Sequence, residues 1–183
     1  GYTNGTPELR QRVLDIYDQN LSLDNVLITS GSAEANFLSI MTQLDAGDEI
    51  VYMVPNYLQI FHLARSIGII VKALPLRHEL GWQWDPDELK KLVSSKTKMI
   101  VVCNPNNPTG AVMHHEIMDL VITIAQENDC WILSDEVYRG AELKGEECRS
   151  FAFSTEKTIV NAGLSKAYLS LIHISEPTRL RSI

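Results

Sequence analysis

The sequence predicts an α/β fold, a three-layer αβα arrangement in which helices cover a largely parallel sheet. Short apolar runs alternate with stretches of helical periodicity along the chain, and this rhythm is typical of parallel sheets. In addition, residues 99–103 form a continuous apolar run, the pattern of a strand that is buried on both faces. At 183 residues, the chain is long enough for one sizeable core.

The individual elements follow from apolar clusters and turn signals. Helices are predicted where apolar residues recur at helical spacing, at residues 7–20, 32–44, 57–67, 84–93 and 114–128. Strands are predicted at the short apolar runs between them, at residues 26–29, 49–54, 69–74, 99–103, 131–134 and 158–161. Asp85 is expected to cap the fourth helix, and Pro86 suits its first turn.

The composition is that of an ordinary globular domain and disfavours two classes of partner. Hydrophobic residues make up 45% of the chain and charged residues 21%. The 16 basic and 23 acidic residues give a net charge of −7, which argues against nucleic acid or an anionic membrane surface as a partner. No apolar run of about 18 residues and no secretion signal is visible, so we expect a cytoplasmic protein.

The cysteines and the paired histidines do not indicate a metal site. Cys103, Cys130 and Cys148 are odd in number and have no metal-ligand spacing, so we expect buried free thiols in a reducing compartment. His114 and His115 have no neighbouring ligand pattern, and we expect them to be exposed at the start of a helix.

Polar and aromatic residues recur where the predicted strands end. In an open α/β sheet the carboxyl ends of the strands line one crevice, so residues far apart in sequence can converge there. The set contains a lysine, a carboxylate, two phenols and an amide, which are the groups needed to hold and tune pyridoxal 5'-phosphate. These residues are Tyr57, Asn107, Asp135, Tyr138, Ser165 and Lys166.

The loop at residues 29–35 is a candidate phosphate site. Its sequence, TSGSAEA, runs from a predicted strand into a predicted helix, and its small residues let the backbone approach an anion. The free N–H groups at the start of a helix point at such an anion, so Ser32 and Ala33 are the candidate donors. By itself the loop also fits an ordinary strand–helix junction, because it lacks the spacing of known nucleotide motifs.

The other residues have the chemistry that the ring of this cofactor requires. The Asp135 carboxylate would pair with a protonated ring nitrogen and keep the ring cationic, so that it can stabilise a carbanion. Asn107 and Tyr138 would donate to the ring oxygen, and Tyr57 would stack on the ring. A partly desolvated Lys166 would attack the cofactor aldehyde and later carry a proton as general base and acid.

Each residue also has an ordinary structural explanation when it is considered alone. The sequence NPNNPTG at residues 104–110 fits a tight turn, and Asp135 fits a helix cap. Tyr57 fits a core aromatic, and a Ser-Lys pair such as Ser165 with Lys166 is usually on the surface. The order of the motifs along the chain, rather than any one of them, favours a cofactor site.

Three motifs carry a resemblance to a known family. The run at residues 104–110, the Asp135 and Tyr138 pair, and Ser165 with Lys166 resemble, in order and spacing, motifs of class I/II aminotransferases. These are pyridoxal-phosphate-dependent enzymes of fold type I. The resemblance extends from residue 1 to about residue 168, and it implies the large domain of such an enzyme.

The resemblance implies a role for each ring-binding residue. Lys166 would carry the cofactor covalently, and Asp135 would pair with the pyridine nitrogen. Asn107 and Tyr138 would hold the ring oxygen, and Tyr57 would stack on the ring.

The resemblance also implies the residues that bind the phosphate. Ser32, Ala33 and Ser165 would donate to it within one chain. Tyr2 matches a tyrosine that in relatives reaches the phosphate of the neighbouring subunit, which implies a homodimer with shared sites.

The chain also departs from the family pattern. Gly163 stands where relatives usually carry a serine, and Ile174 stands where they carry an arginine that clamps the phosphate. Residues 169–183 resemble one translated frame of a sequencing adapter, so we expect a non-native read-through tail. Residues 1–168 would then be a partial cofactor-binding large domain, without the small domain and inactive by itself.

The function that the resemblance implies is transfer of an amino group between an amino acid and a 2-oxo acid. A lyase that breaks carbon–sulfur bonds or a cyclising synthase would use the same cofactor site. A non-enzymatic binding module would keep the core but would not need Lys166. The sequence does not indicate which amino acid is the substrate, because side-chain specificity in this family depends on segments that this sequence lacks. Trp82 and Trp84 are expected to lie away from the crevice.

Overall fold

The computed structural model describes residues 2–17 and 21–170, which form one six-stranded sheet with helices on both faces. The strands are β1 (Glu49–Val54), β2 (Ile70–Arg77), β3 (Gln83–Trp84), β4 (Thr97–Cys103), β5 (Trp131–Asp135) and β6 (Thr158–Asn161). The helices are α1 (Pro7–Leu14), α2 (Ser32–Gln43), α3 (Gln59–Ser66), α4 (Pro86–Leu92) and α5 (His115–Glu127). The spatial order is β3-β2-β1-β4-β5-β6, and every neighbouring pair is parallel except β2 with the short β3. The predicted three-layer, largely parallel fold is confirmed.

The core consists of two apolar clusters, one on each face of the sheet, because successive side chains of a strand point to opposite faces. On β1, Val51 and Met53 contribute to the cluster that includes residues of α4 and α5. Ile50 and Tyr52 contribute to the cluster that includes residues of α2 and α3. All four side chains are buried, so this strand fixes the sheet between its two helical layers.

Helix starts follow the local sequence signals. The Asp85 carboxylate accepts from the Asp87 and Glu88 N–H groups at 2.8 and 3.3 Å, and Pro86 is the first residue of α4. The predicted cap is therefore confirmed. Thr6 caps α1 in the same way, by accepting from the Leu9 N–H at 3.3 Å.

Residues 26–29 do not form the predicted strand. Their backbone bonds instead to the N-terminal part of the chain. The Ile28 N–H donates to the Asn4 carbonyl at 3.1 Å, and the Val26 carbonyl accepts from Arg10 Nε at 3.0 Å. Because these groups already have partners outside the sheet, the segment runs as a loop into α2.

Strand β3 was not predicted. Trp84 was expected to open a helix, but it lies in this strand, 1% exposed, and its indole Nε1 donates to the Leu74 carbonyl at 3.2 Å. The first helix ends at Leu14 rather than at residue 20, and residues 18–20 lie outside the described residues. The other elements agree with the predicted bounds to within three residues.

The cysteines and histidines lie where the sequence predicts. Cys103, Cys130 and Cys148 are free and buried. His114 and His115 are exposed at the start of α5. Within residues 2–17 and 21–170, no helix combines the length and the apolar character needed to cross a membrane.

Candidate active site

Four loops leave the sheet at the carboxyl edge of its parallel strands. Because β1, β4, β5 and β6 run in one direction, the loops that follow them emerge on the same side. These loops carry Tyr57, Asn107, Tyr138 and Lys166 in that order, and Asp135 is the last residue of β5. The structure therefore brings these five predicted residues to one edge of the sheet.

Two buried asparagines hold the loop after β4, and sequence reasoning missed both. Asn106 donates to the Pro55 carbonyl at 3.1 Å, and its side-chain oxygen accepts from the Thr109 hydroxyl at 2.8 Å. Asn104 accepts from the Met113 N–H at 2.8 Å, and its own N–H donates to the Asp135 carbonyl at 3.0 Å. The sequence signal for them was an asparagine-rich turn directly after a buried strand. Amides in such a place are buried with the strand end, and buried amides need hydrogen-bond partners.

A cleft of about 460 Å³ lies between the loops after β1 and β4 and is open to solvent. Tyr57 is 57% exposed at the wall of this cleft, so its ring is not part of the core. Asn107 is half-buried on the opposite loop. The hydrogen bonds that hold this loop are made by Asn104 and Asn106 instead. The cleft is lined by Asn56, Tyr57, Leu58, Gln59, His62, Asn107 and Pro108.

Asp135 is a buried carboxylate beside this edge. It is 7% exposed, and it lies between Cys103 of β4 and Asn161 of β6 in the strand register. Burial raises the pKa of Asp135, while the Val137 N–H and the Asn36 amide act in the opposite direction. No helix follows Asp135, so it is not the helix cap that the sequence allowed.

The surroundings of Asp135 fit the cofactor predicted from the sequence. Among the described residues, the Val137 N–H at 3.2 Å is its hydrogen-bond donor, and no lysine or arginine forms an ion pair with it. A buried carboxylate without a cation is costly. A protonated pyridine nitrogen would supply both the missing charge and a donor, so this carboxylate suits pyridoxal phosphate.

Lys166 lies in the loop after β6, and this loop packs against the turn after β5. A Cβ atom on Gly163 would lie 3.7 Å from Val137 Cγ1, and one on Gly140 would lie 3.5 Å from the Ala167 Cβ. Lys166 is exposed rather than partly desolvated as predicted. The amine is thus at the predicted edge of the sheet but in contact with solvent.

Tyr138 and Ser165 flank this contact between the two loops. Tyr138 is half-buried in the turn after β5, where its carbonyl accepts from the Ala141 N–H at 3.0 Å. Ser165 is exposed, and within the described part of the chain it makes no hydrogen bond. Among the described residues, neither side chain has a hydrogen-bond partner that would assign it a purely structural role.

Ser32 and Ala33 are the first two residues of α2, as the phosphate site requires. Gly31 precedes them with φ 85°, a conformation that favours glycine, and no side chain caps the helix. The N–H groups of the first turn are therefore open to an anion. Gln59 donates to the Ala33 carbonyl at 2.7 Å, which ties this turn to the start of α3.

Tyr2 is exposed near the segment that leads into the phosphate loop. Its side chain is 69% exposed, and its carbonyl accepts from the Gly5 N–H at 3.3 Å. Gly5 has φ 93°, and a Cβ atom there would lie 2.4 Å from Ile28 Cγ1, so the close approach requires glycine. Ile174, the residue in place of the phosphate-clamping arginine, lies outside the described residues.

Comparison with known proteins identifies the family. The model of the aminotransferase class I and II family matches residues 1–171. The chain belongs to this family. Aspartate aminotransferase of Pyrococcus horikoshii is 33% identical to this aminotransferase chain over 171 residues, which are 90% of this chain and 43% of that protein. Aspartate/prephenate aminotransferase of Thermus thermophilus is 30% identical over 168 residues, 90% of this chain and 44% of that protein.

Solved structures give the same assignment. Alanine aminotransferase from Pyrococcus furiosus superposes with a TM-score of 0.85 at 32% identity, covering 92% of this chain and 44% of that one. A PLP-dependent aminotransferase from Streptococcus suis superposes with a TM-score of 0.86 at 33% identity, with the same coverage. The aminotransferase chain thus spans less than half the length of the relatives it matches. The predicted family, fold type and cofactor are confirmed, and the roles of individual site residues remain predictions.

Proposed function

We propose that the complete protein transfers an amino group between an amino acid and a 2-oxo acid with pyridoxal phosphate as cofactor. The observation that carries this proposal is the buried Asp135 carboxylate at the carboxyl edge of the sheet, which has no cation as ion-pair partner among the described residues. Family membership supports the reaction, since the relatives described above are all aminotransferases.

The chain's own residues divide the binding of the cofactor among them. Asp135 would hold the proton on the ring nitrogen, and Asn107 and Tyr138 would donate to the ring oxygen. Tyr57 would cover one face of the ring, which its exposed position at the cleft supports.

The phosphate would lie at the start of α2. Ser32 and Ala33 would donate from the open first turn of this helix, and Ser165 would donate from the loop after β6. This division supports a site built from segments that are far apart in sequence.

Lys166 would move the proton in the reaction. When bound, the cofactor supplies an aldehyde and a ring that withdraws electrons from the α-carbon of the amino acid. The Lys166 amine takes the proton from that α-carbon as a general base and returns it as a general acid. Its exposed position leaves the amine accessible to a bound molecule.

We further propose a cytoplasmic homodimer in which Tyr2 reaches the phosphate bound by the neighbouring subunit. The exposed Tyr2 side chain and the three free, buried cysteines support these two proposals. Residues 1–168 would form the cofactor-binding part, and residues 169–183 would take no part in it.

Amino transfer is tested with the complete gene product. A panel of amino acids is mixed with a 2-oxo acid, and the new amino acid, the new 2-oxo acid and free ammonia are measured together. We expect the two products in equal amounts and no ammonia. Lys166→Ala should lower the rate by about 10²–10⁴-fold, because a general base and acid is lost.

The matched control is Lys144→Ala, which removes an exposed lysine from a loop outside the site. It should retain full activity. Ammonia released without a new amino acid would instead indicate an elimination reaction. Ligand binding and function that survive Lys166→Ala would indicate a binding module rather than an enzyme.

A further inference from the structure

A buried amide pair joins α2 to β6 next to the candidate site. Asn36 is 1% exposed and Asn161 is 5% exposed, and α2 also contributes Ile40 to the apolar cluster on one face of the sheet. Asn161 Nδ2 donates to Asn36 Oδ1 at 2.7 Å and lies 3.4 Å from Ser39 Oγ. Burying two amides is costly unless both are bonded, and apolar side chains would pack a helix on a sheet without that cost. The pair therefore calls for an explanation beyond packing.

The position of the pair points to Asp135. Asn161 is the register partner of Asp135 in the β5–β6 pairing, so both side chains point to the face of the sheet that α2 covers, where Asn36 bonds Asn161. Asn36 Oδ1 accepts from the Asn161 amide, so the Asn36 Nδ2 group is the end that remains available as a donor. Nδ2 lies 3.4 Å from Gln59 Oε1, and its second N–H is available to Asp135. Asn161 thus fixes which end of the Asn36 amide is available to the carboxylate.

We propose that Asn36, oriented by Asn161, is a positioning residue that keeps the Asp135 carboxylate ionised and aimed at the crevice. The expectation that the oriented carboxylate then pairs with the cofactor's ring nitrogen rests on the proposed function. The effect of Asn36 on the carboxylate does not, since it holds for the chain without cofactor. Asn36 touches neither the substrate nor the cofactor and acts through Asp135.

The other groups around Asp135 cannot perform this task. In addition to burial, the charge of Asp135 contributes to raising the pKa of Cys103 in β4 and of Tyr52 in β1. Burial, with a smaller contribution from Asp135, raises the pKa of Cys103 to about 12 and raises that of Tyr52, so both groups are neutral at physiological pH. Among the described residues, only the Val137 N–H and the Asn36 amide lower the pKa of Asp135.

The test measures the titration of Asp135 directly in the full chain without cofactor. The chain is labelled with ¹³C at the aspartate carboxyl carbons, and Asp135→Asn assigns its signal in a pH titration by NMR. Asn36→Leu should raise the midpoint of Asp135 by about one pH unit, since a polar donor beside the charged carboxylate is replaced by an apolar group. Ser39→Ala is the matched control, because Ser39 lies near Asn161 but does not face Asp135, and its midpoint should stay within a few tenths of a unit.

An unchanged midpoint in folded Asn36→Leu would overturn the inference. If that variant does not fold, Asn161→Ala decides, because it releases the Asn36 amide but leaves it in place. We expect a smaller upward shift of the Asp135 midpoint in Asn161→Ala, and no shift there would also overturn the inference.

A second measurement separates this inference from the proposed function. Pyridoxal phosphate is added to the same variants and its absorbance is followed. If the midpoint shifts but the cofactor does not bind to the unsubstituted chain, the positioning role stands and the proposed function fails. If the cofactor binds and the midpoint does not move, the proposed function stands and the positioning role is wrong.

Discussion

Two nearly buried carboxylates lie at opposite edges of the sheet and have opposite surroundings. At the amino edge, Glu49 begins β1 and pairs with Lys72 Nζ at 2.5 Å, while Ser94 Oγ donates to it at 3.1 Å. The hydrogen bond from Lys72, assisted by Ser94, lowers the pKa of Glu49. At the carboxyl edge, Asp135 ends β5 without an ion-pair partner among the described residues, and burial raises its pKa.

The difference separates a carboxylate that serves the fold from one that is available to a ligand. Glu49 has its cation within the chain, so its charge is compensated as soon as β1 and β2 pair. Asp135 accepts a hydrogen bond from the Val137 N–H, but within residues 2–17 and 21–170 no cation pairs with it. Buried carboxyls that lack a partner are found preferentially at functional sites, because the ligand supplies the missing partner.

The largest expected effect is a loss of activity, and it should follow substitution of the carboxylate at the carboxyl edge of the sheet but not of the one at the amino edge. Asp135→Asn in the complete protein should reduce amino transfer by about 10²–10⁴-fold, because the amide cannot hold the ring nitrogen protonated. Glu49→Gln should leave the rate per folded molecule unchanged. Rates of both variants are measured with saturating pyridoxal phosphate and normalised to folded protein. Equal losses in the two variants would remove the functional distinction between the edges.

The sequence predicted the fold where apolar runs were long or clearly bounded. The bounds of β1 and β6 match the predicted ones, since an apolar strand between turn residues has few alternatives. Residues 26–29 have the same pattern, but Asn4 and Arg10 occupy their backbone groups. Strand propensity indicates an extended backbone and does not indicate its partner.

The candidate site was predicted at residues that end or follow predicted strands, the buried Asp135 among them, and missed at three buried asparagines. Tyr57 and Asn107 stood out because each follows a predicted strand. Asn36, Asn104 and Asn106 were missed, since an asparagine in a helix or a turn is ordinarily on the surface. Only the tertiary structure shows that Asn36 meets Asn161, a residue 125 positions away.

A smaller effect, with opposite signs at the two edges, is expected for stability. Without cofactor, Asp135→Asn should stabilise the chain at neutral pH by on the order of 1 kcal/mol, because it removes a buried, uncompensated charge. The pKa of Asp135 is raised in the folded state, so the unsubstituted chain loses stability as pH rises through that pKa. Below about pH 4 the carboxyl is protonated in both states, and the gain should vanish.

Glu49→Gln should show the reverse dependence. The folded pKa of Glu49 is lowered, so its contribution is present at neutral pH and is lost as pH falls through that pKa. The variant should therefore be less stable than the unsubstituted chain at neutral pH and equal to it in acid. Urea unfolding at a series of pH values, followed by circular dichroism, gives both curves. Two curves of the same sign would contradict the assignment of one paired and one unpaired carboxylate.

The smallest effect is expected at Glu136, a third buried carboxyl that tests whether burial or position matters. It is 2% exposed, Oε1 accepts from Ser134 Oγ at 2.9 Å and from the Phe151 N–H at 2.8 Å, and Oε2 has no partner among the described residues. Burial raises the pKa of Glu136, as it does for Asp135. Successive side chains of an extended backbone point to opposite faces, so the two carboxyls serve different sides of the sheet.

Glu136→Gln is therefore expected to leave the affinity for pyridoxal phosphate within about twofold, a change of less than 0.5 kcal/mol. Its gain in stability at neutral pH should be smaller than that of Asp135→Asn, because the new amide group lacks an acceptor where Oε2 now lies. Absorbance titrations with the cofactor, run beside Asp135→Asn, measure the comparison. A tenfold loss of affinity in Glu136→Gln would mean that any buried carboxyl after β5 supports the cofactor. An unchanged affinity would assign that role to the position of Asp135 at the crevice.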